Sequence, residues 1–486
     1  MPSHTLLDAL GAADGGRAAL ILPDTGERVS YAELRERVRA MAAGLRAAGI
    51  GPGDRVAIAL PNGLPAIVSF LAASLAGTAA PLNPAYRYEE FAFYLEDTNA
   101  RLLIAGDAEE ARRAAADRGI PLAAADLAAA GAMPEPSPDD VALVLHTSGS
   151  TGRPKRVPLR HRNLAVSIGN IVDTYRLGPE DVSLCLMPLF HVHGLMASTM
   201  AALASGGTVV APARFNPLAF WRLVREHGVT WYSAVPSIHQ LILARKAGAE
   251  RAGALRFVRS CSASLAPEMM ARMEEYFGVP VLEAYGMTEA SHQMASNPLP
   301  PAPRKAGSVG VGTGVAIRIM DENGRELPAG QPGEVCIQGP NVIREYENNP
   351  EATVKSFFGE WFRTGDQGVL DAGGYLFLTG RLKELINRGG EKISPREIDE
   401  ALLQHPAVGE AVAFGVAHPT WGEEVAAAVV LREGAEATEA ALAAFCRERL
   451  AEFKCPKKIH IVAAVPRTAS GKIQRLNVAK AFTGAQ

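Results

Sequence analysis

The sequence predicts an α/β protein of more than one domain, built on parallel sheets. Three observations lead there. A chain of 486 residues is too long for one compact core. Short apolar runs bounded by turn residues alternate with helical patterns, the rhythm of right-handed βαβ units. One such run, Val141-Ala-Leu-Val144, leads into a loop rich in Gly, Ser and Thr of the kind that wraps a polyphosphate.

Composition narrows the class. An apolar fraction of 48% and a charged fraction of 21% describe an ordinary soluble globular protein. The net charge of −3 argues against nucleic acid as a partner. Five cysteines (Cys185, Cys261, Cys336, Cys446, Cys455) lack metal-type spacing, and their odd number fits buried or unpaired thiols in a reducing compartment. The N-terminus has no basic-then-apolar signal, no 18-residue stretch is apolar enough to span a membrane, and the final Thr-Gly-Ala-Gln carries no legible address. A cytoplasmic location is expected.

Taken in order, Ser30-Tyr31-Ala32-Glu33 has the form of a capping box, and a helical pattern follows through Leu45. After the turn Gly51-Pro52-Gly53-Asp54, Val56–Leu60 reads as a buried strand, Ile67–Leu75 as a helix and Ala79–Leu82 as a strand. Residues 122–140, rich in Ala, Pro and Asp, read as an exposed connection. Ser183–Met187 is a strand leading into Pro188-Leu-Phe-His191-Val-His193-Gly194, at the strand-end position where open sheets place ligands. Thr230–Pro236 and Leu255–Ser260 repeat the strand pattern, the second ending in Cys261-Ser262-Ala263-Ser264. That turn has a plain reading too, with Ser264 capping a helix ahead of Pro267. Ile393-Ser394-Pro395 starts a helix with proline in its first turn.

The loop Leu145-His-Thr147-Ser148-Gly149-Ser150-Thr151-Gly152-Arg-Pro-Lys155 combines two glycines, four hydroxyls and a lysine. Glycines let backbone N–H groups approach phosphate, hydroxyls donate, and lysine supplies charge. It is not a Walker A loop, because no Gly-Lys-Ser/Thr follows, and this disfavours a P-loop NTPase. Four further strings come later in order: Glu283-Ala284-Tyr285-Gly286-Met-Thr288-Glu289, Thr364-Gly365-Asp366, Gly380-Arg381-Leu-Lys383 with Gly389-Gly390, and Pro466-Arg-Thr-Ala-Ser-Gly-Lys472. Singly, several would pass for turns or solvated charged loops.

Together, in this order from about Leu145 to Arg475, they resemble the adenylate-forming acyl-CoA synthetases. The resemblance implies a large multi-subdomain N-terminal domain, residues 1–380, and a small mobile α+β domain, residues 381–486, carrying the catalytic lysine. It implies ATP, Mg²⁺ and coenzyme A as cosubstrates, and contacts to ATP or AMP from Thr147, Ser148, Gly149, Ser150, Thr151, Gly152, Lys155, Glu283, Ala284, Tyr285, Gly286, Asp366 and Arg381. Tyr285 would pack on adenine, Asp366 and Arg381 would hold ribose, and Thr288 would meet a phosphate. Glu289 would hold Mg²⁺, and Lys472 would bridge carboxylate and α-phosphate during adenylation. Lys383 would be the hinge, with Gly389 and Gly390 facing CoA. Arg156 departs from the pattern, which usually has glycine after Pro-Lys.

The runs Trp231–Gln240, Arg259–Pro267 and Ser291–Pro298 are most similar to the oxalate–CoA ligase subgroup. This implies oxalate as the acid, with His193, Ser264 and His292 as its donors; His191 could exchange with His193, and Ser262 with Ser264. An aromatic or medium-chain acid, or a carrier-protein thiol as acceptor, are the rival readings within the class. An inactive binding homologue is disfavoured by the presence of Thr288, Glu289, Asp366, Arg381 and Lys472. A monomer or small homo-oligomer is expected.

Overall fold

The computed structural model describes residues 4–11, 13–147, 154–244, 254–467 and 473–483. The predicted α/β class is what it shows. A nine-stranded sheet has the order 311–312, 292–296, 281–287, 257–260, 231–234, 182–185, 208–210, 18–22, 27–30. Its six central strands run parallel, and the pairs toward each edge are antiparallel. A six-stranded sheet, ordered 122–123, 100–105, 55–59, 78–81, 141–147, 155–160, is parallel except for its last pair. That antiparallel pair is the hairpin flanking the Gly/Ser/Thr loop.

The local signals explain these elements. Ser30 accepts from the Glu33 N–H at 3.2 Å while the Glu33 carboxylate accepts from Ser30 N–H at 2.7 Å, so the capping box starts the helix Tyr31–Ala47. The helix Leu64–Ala76, apolar but for Ser69 and Ser74, is buried all round, every residue except Pro65. Residues between the short strand Leu122–Ala123 and Val141 have no regular structure, as read from their composition. The five cysteines are all buried and free.

A third sheet is antiparallel, with 361–370 paired to 333–338 and to 376–381. The segment Thr364-Gly365-Asp366, which by itself suggests a turn, lies inside the Trp361–Leu370 strand, with Gly365 at φ +74°. A fourth sheet uses residues from Ile386 onward, and Pro395 opens the helix Pro395–Leu403 as expected. Among the described residues no helix is long and apolar enough to cross a membrane.

Candidate active site

The expected nucleotide residues come together from separate strands. Asp366 and Arg381 are register partners on adjacent strands, and Arg381 Nε lies 3.2 Å from Asp366 Oδ1. The Tyr285 hydroxyl donates to the other carboxylate oxygen, Asp366 Oδ2. One aromatic ring, one carboxylate and one guanidinium are thereby fixed in a single cluster. Thr147 ends the strand Val141–Thr147, and its Oγ1 lies 3.5 Å from Glu289 Oε1. Tyr346 donates to the same oxygen at 2.8 Å, and Lys155 Nζ sits 4.2 Å from the centre of the Tyr346 ring. Burial lowers the Lys155 pKa; Glu289 opposes this, and the Lys383 ammonium adds to it. Lys155, Glu289 and Lys383 therefore share one electrostatic neighbourhood. Ser148, Gly149, Ser150, Thr151, Gly152 and Lys472 lie outside the described residues.

Arg156 has a clear structural task. It donates from Nη1 to the Asp97 carbonyl at 2.6 Å, with Nε 3.5 Å from the Asp97 carboxylate and Nη1 3.8 Å from Glu347. His146, at the other end of the loop, meets Asp97 Oδ2 at 2.8 Å. Both flanks of the loop are thus anchored to one acid.

Gly286 allows the turn that carries Glu289 and His292. A Cβ there would sit 2.2 Å from the His292 carbonyl oxygen, so any other residue would force the two strands apart. Thr288, half-buried, starts the short 3₁₀ turn Thr288–Ala290, and His292 follows at φ +110°, a conformation costly for a non-glycine residue. Hydrogen bonds hold the turn: Ser167 to Ser291 O at 2.8 Å, Ser291 Oγ to Asn341 O at 2.9 Å, and Asn341 Nδ2 to Ala290 O at 2.8 Å.

His292 is brought onto His193. Their rings stack with centroids 5.0 Å apart and planes 24° from parallel, and both side chains are buried. His193 opens the π-helix His193–Met200, where Gly194 is required because a Cβ would lie 2.2 Å from Pro188 O. His191 is half-buried beside Phe190. Ser262, at φ +71°, turns its hydroxyl to His193 Nδ1 at 3.0 Å. Ser264, the serine favoured from sequence, is exposed instead. Nor does it cap the next helix, since Ala266 occupies that position. Of the two serines the sequence left open, Ser262 is the one that contacts His193.

Four expected site residues have surroundings of their own. Glu283 turns from the nucleotide cluster and accepts from Leu265 N–H at 2.9 Å. Burial pushes its carboxyl up from 4.5 to about 7, against the nearby Arg396 charge and the Leu265 hydrogen bond. An acid raised in the folded state costs stability once the unfolded chain ionises, so the cost appears above about pH 4.5 and is complete above about pH 7. Glu283→Gln is expected to stabilise the protein by about 3 kcal/mol at pH 8 and about 1 kcal/mol at pH 5. Urea unfolding of both proteins at the two pH values checks this; equal gains at both would contradict it. Gly389 and Gly390 form the tip of the hairpin Ile386–Arg388/Glu391–Ile393, with the Gly389 N–H bonded to Trp421 O at 2.8 Å. Ala284 is buried and strand-paired with Ser296.

Sequence reasoning missed Arg259, Ser233, Tyr346 and the Asp97/Glu347 anchors. A signal for Arg259 was present, as a charged residue following Phe257-Val258 within the strand pattern Leu255–Ser260. Its side chain is fully buried.

Comparison with known proteins agrees with this geometry. The AMP-binding enzyme family model matches residues 8–347, and the AMP-binding enzyme C-terminal domain matches residues 397–472. The chain is 48% identical to a probable CoA ligase of Humulus lupulus, covering 98% of this chain and 96% of that protein. It is also 48% identical to an oxalate–CoA ligase of Arabidopsis thaliana, with 93% of each covered. The ATP-bound crystal structure of MatB from Rhodopseudomonas palustris overlays at TM-score 0.93, with 32% identity and 99% of each chain covered. The apo form of the same protein overlays at 0.82 over the same 99% of each, so the arrangement of this chain follows the ATP-bound form.

Proposed function

The chain belongs to the AMP-binding enzyme family, and on that premise we propose that it is an ATP-dependent, AMP-forming acid–CoA ligase whose acid is oxalate. The observation that carries the choice of acid is the polar set of buried His193 and His292 with half-buried Ser262. A pocket for a fatty or aromatic acid is best lined with apolar groups. Oxalate keeps a second negative charge while its first carboxylate reacts, and burying that charge unpaired would cost several kcal/mol. Hydroxyl and imidazole donors offset the cost. The 48% identity to an oxalate–CoA ligase supports the same reading.

In the proposed reaction a carboxylate oxygen attacks the α-phosphorus of ATP, and the bond to pyrophosphate breaks. The CoA sulfur, having lost its proton, then attacks the acyl carbon, and AMP leaves with the bonding pair. The first step is needed because a carboxylate offers only oxide as a leaving group. Tyr285 would stack on adenine while Asp366 and Arg381 hold ribose. Residues Thr147–Lys155 and Thr288 would orient the phosphates, and Lys472 would stabilise the charge growing between carboxylate and α-phosphate. The small domain, from about Arg381, would turn about Lys383 between the steps and bring Gly389 and Gly390 to the pantetheine arm.

Glu289 suits Mg²⁺. Among the described residues no group of three or more His, Cys, Asp or Glu side chains converges, and Mg²⁺ bound with ATP needs only one or two carboxylates, phosphates and water supplying the rest. The ion would neutralise triphosphate charge there. Glu289 is held for that task by Tyr346.

His292→Ala is expected to raise KM for oxalate at least about tenfold, the loss of one hydrogen bond to a charged group, while KM for ATP stays within about twofold. Steady-state kinetics with each substrate varied in turn check this. An unchanged KM for oxalate would remove His292 from the acid site.

A further inference from the structure

Arg259 is fully buried, yet among the described residues no Asp or Glu pairs with it. Its partners are neutral: Tyr175 OH at 2.8 Å from Nε, Ser233 Oγ at 2.8 Å from Nη1, and Gln293 Oε1 at 3.1 Å from Nη2. Gln293 is held with its oxygen toward the guanidinium because its Nε2 donates to Thr174 and Thr313, each at 3.2 Å. Ser233 and Arg259 are register partners on neighbouring parallel strands, so this contact is built into the sheet. A buried cation without a counter-ion is expensive.

Contact with Ser233 has a directional consequence. A guanidinium can only donate, so Ser233 Oγ accepts from Arg259. The serine proton is then left for His193 Nε2, 2.6 Å away. An imidazole that accepts at Nε2 carries its proton on Nδ1, the nitrogen facing Ser262 Oγ at 3.0 Å. Ser262 accepts in turn, which leaves its own proton free for another acceptor.

We propose that Arg259 is a positioning residue that sets the direction of the chain Arg259–Ser233–His193–Ser262, so that the pocket offers a donor backed by an uncompensated positive charge to the distal carboxylate of a dianionic acid. The specificity half of this rests on the oxalate reading above; the directional half concerns the enzyme without substrate. Arg259 touches no reacting atom in this scheme. Its effect is to exclude the opposite tautomer of His193, in which Ser262 would give its proton to Nδ1 and present only lone pairs to an anion.

Ser233→Ala breaks the chain by removing one oxygen, and so avoids the unfolding risk of replacing Arg259 itself. Nitrogen-15 NMR of histidine-labelled, substrate-free enzyme reads the tautomer, with the His193 signals assigned by their loss in His193→Gln. The wild type is expected to hold the proton on Nδ1, and Ser233→Ala to shift it substantially toward Nε2. In kinetics, Ser233→Ala is expected to lower kcat/KM for oxalate at least about tenfold. Its preference for oxalate over oxamate, the isosteric monoanion, should fall by a similar factor while KM for ATP is kept. Wild-type enzyme with the proton on Nε2, or a variant with unchanged tautomer and unchanged oxalate preference, would overturn the proposal. If the tautomer shifts as expected but the wild type activates neither oxalate nor oxamate, the relay stands and the oxalate reading falls.

Discussion

Replacing Lys472 with alanine is expected to lower the rate of adenylation by about 10²–10³-fold, the usual loss when one preorganised charge is removed from a developing anion. Thioester formation from supplied acyl-adenylate should survive, because the lysine acts only while carboxylate and α-phosphate are joining. The described residues that follow the lysine are tied to the small domain. Just beyond it, Arg475 Nη2 lies 2.7 Å from the half-buried Asp399 carboxylate and Nε lies 3.1 Å from Glu384. Asp399 is on the helix Pro395–Leu403, and Glu384 immediately follows Lys383. The segment after Lys472 is therefore clamped to the small domain, and any rotation at Lys383 would carry the lysine with it. Pyrophosphate exchange into ATP reads the first half-reaction and CoA consumption from isolated adenylate reads the second. Equal loss in both would remove Lys472 from its assigned step.

Lys383→Pro is expected to give the opposite split, with adenylation near the wild-type rate and transfer to CoA down at least about tenfold. Lys383 lies at a junction. On one side Leu382 N–H bonds to Gly365 O at 3.0 Å and Arg381 bridges Asp366, both part of the third sheet. On the other, Glu384 belongs to the Arg475 clamp. Proline fixes φ near about −65° and removes the rotation that a turning domain needs at this point. Because the chain here already follows the ATP-bound arrangement of its relative, the first half-reaction should be spared. Wild-type rates in both steps would place the pivot elsewhere.

Much of the fold was legible because its signals are local. Ser30 and Glu33 cap a helix whatever surrounds them, and proline marks the first turn at Pro395. The site was legible where short strings carry its groups, so Tyr285, Asp366 and Arg381 could be named from three separate strings and are found in one cluster. What stayed hidden depends on geometry that spacing does not encode. Ser262 and Ser264 are two residues apart, and only the positive φ at Ser262 turns its hydroxyl to His193 while Ser264 faces solvent. Arg156 finds Asp97 and Glu347, both remote in sequence. Arg259 was hidden because a strand pattern reports burial, and burial of a cation acquires meaning only when its neighbours are known to be neutral.

The choice of acid is tested most directly by pyrophosphate release from the purified wild-type enzyme with oxalate, malonate, hexanoate and benzoate, each with and without CoA. Oxalate should give rapid release and an oxalyl thioester only when CoA is present, with hexanoate and benzoate near background. Activation of hexanoate or benzoate with no response to oxalate would contradict the polar acid site and leave the family assignment standing alone.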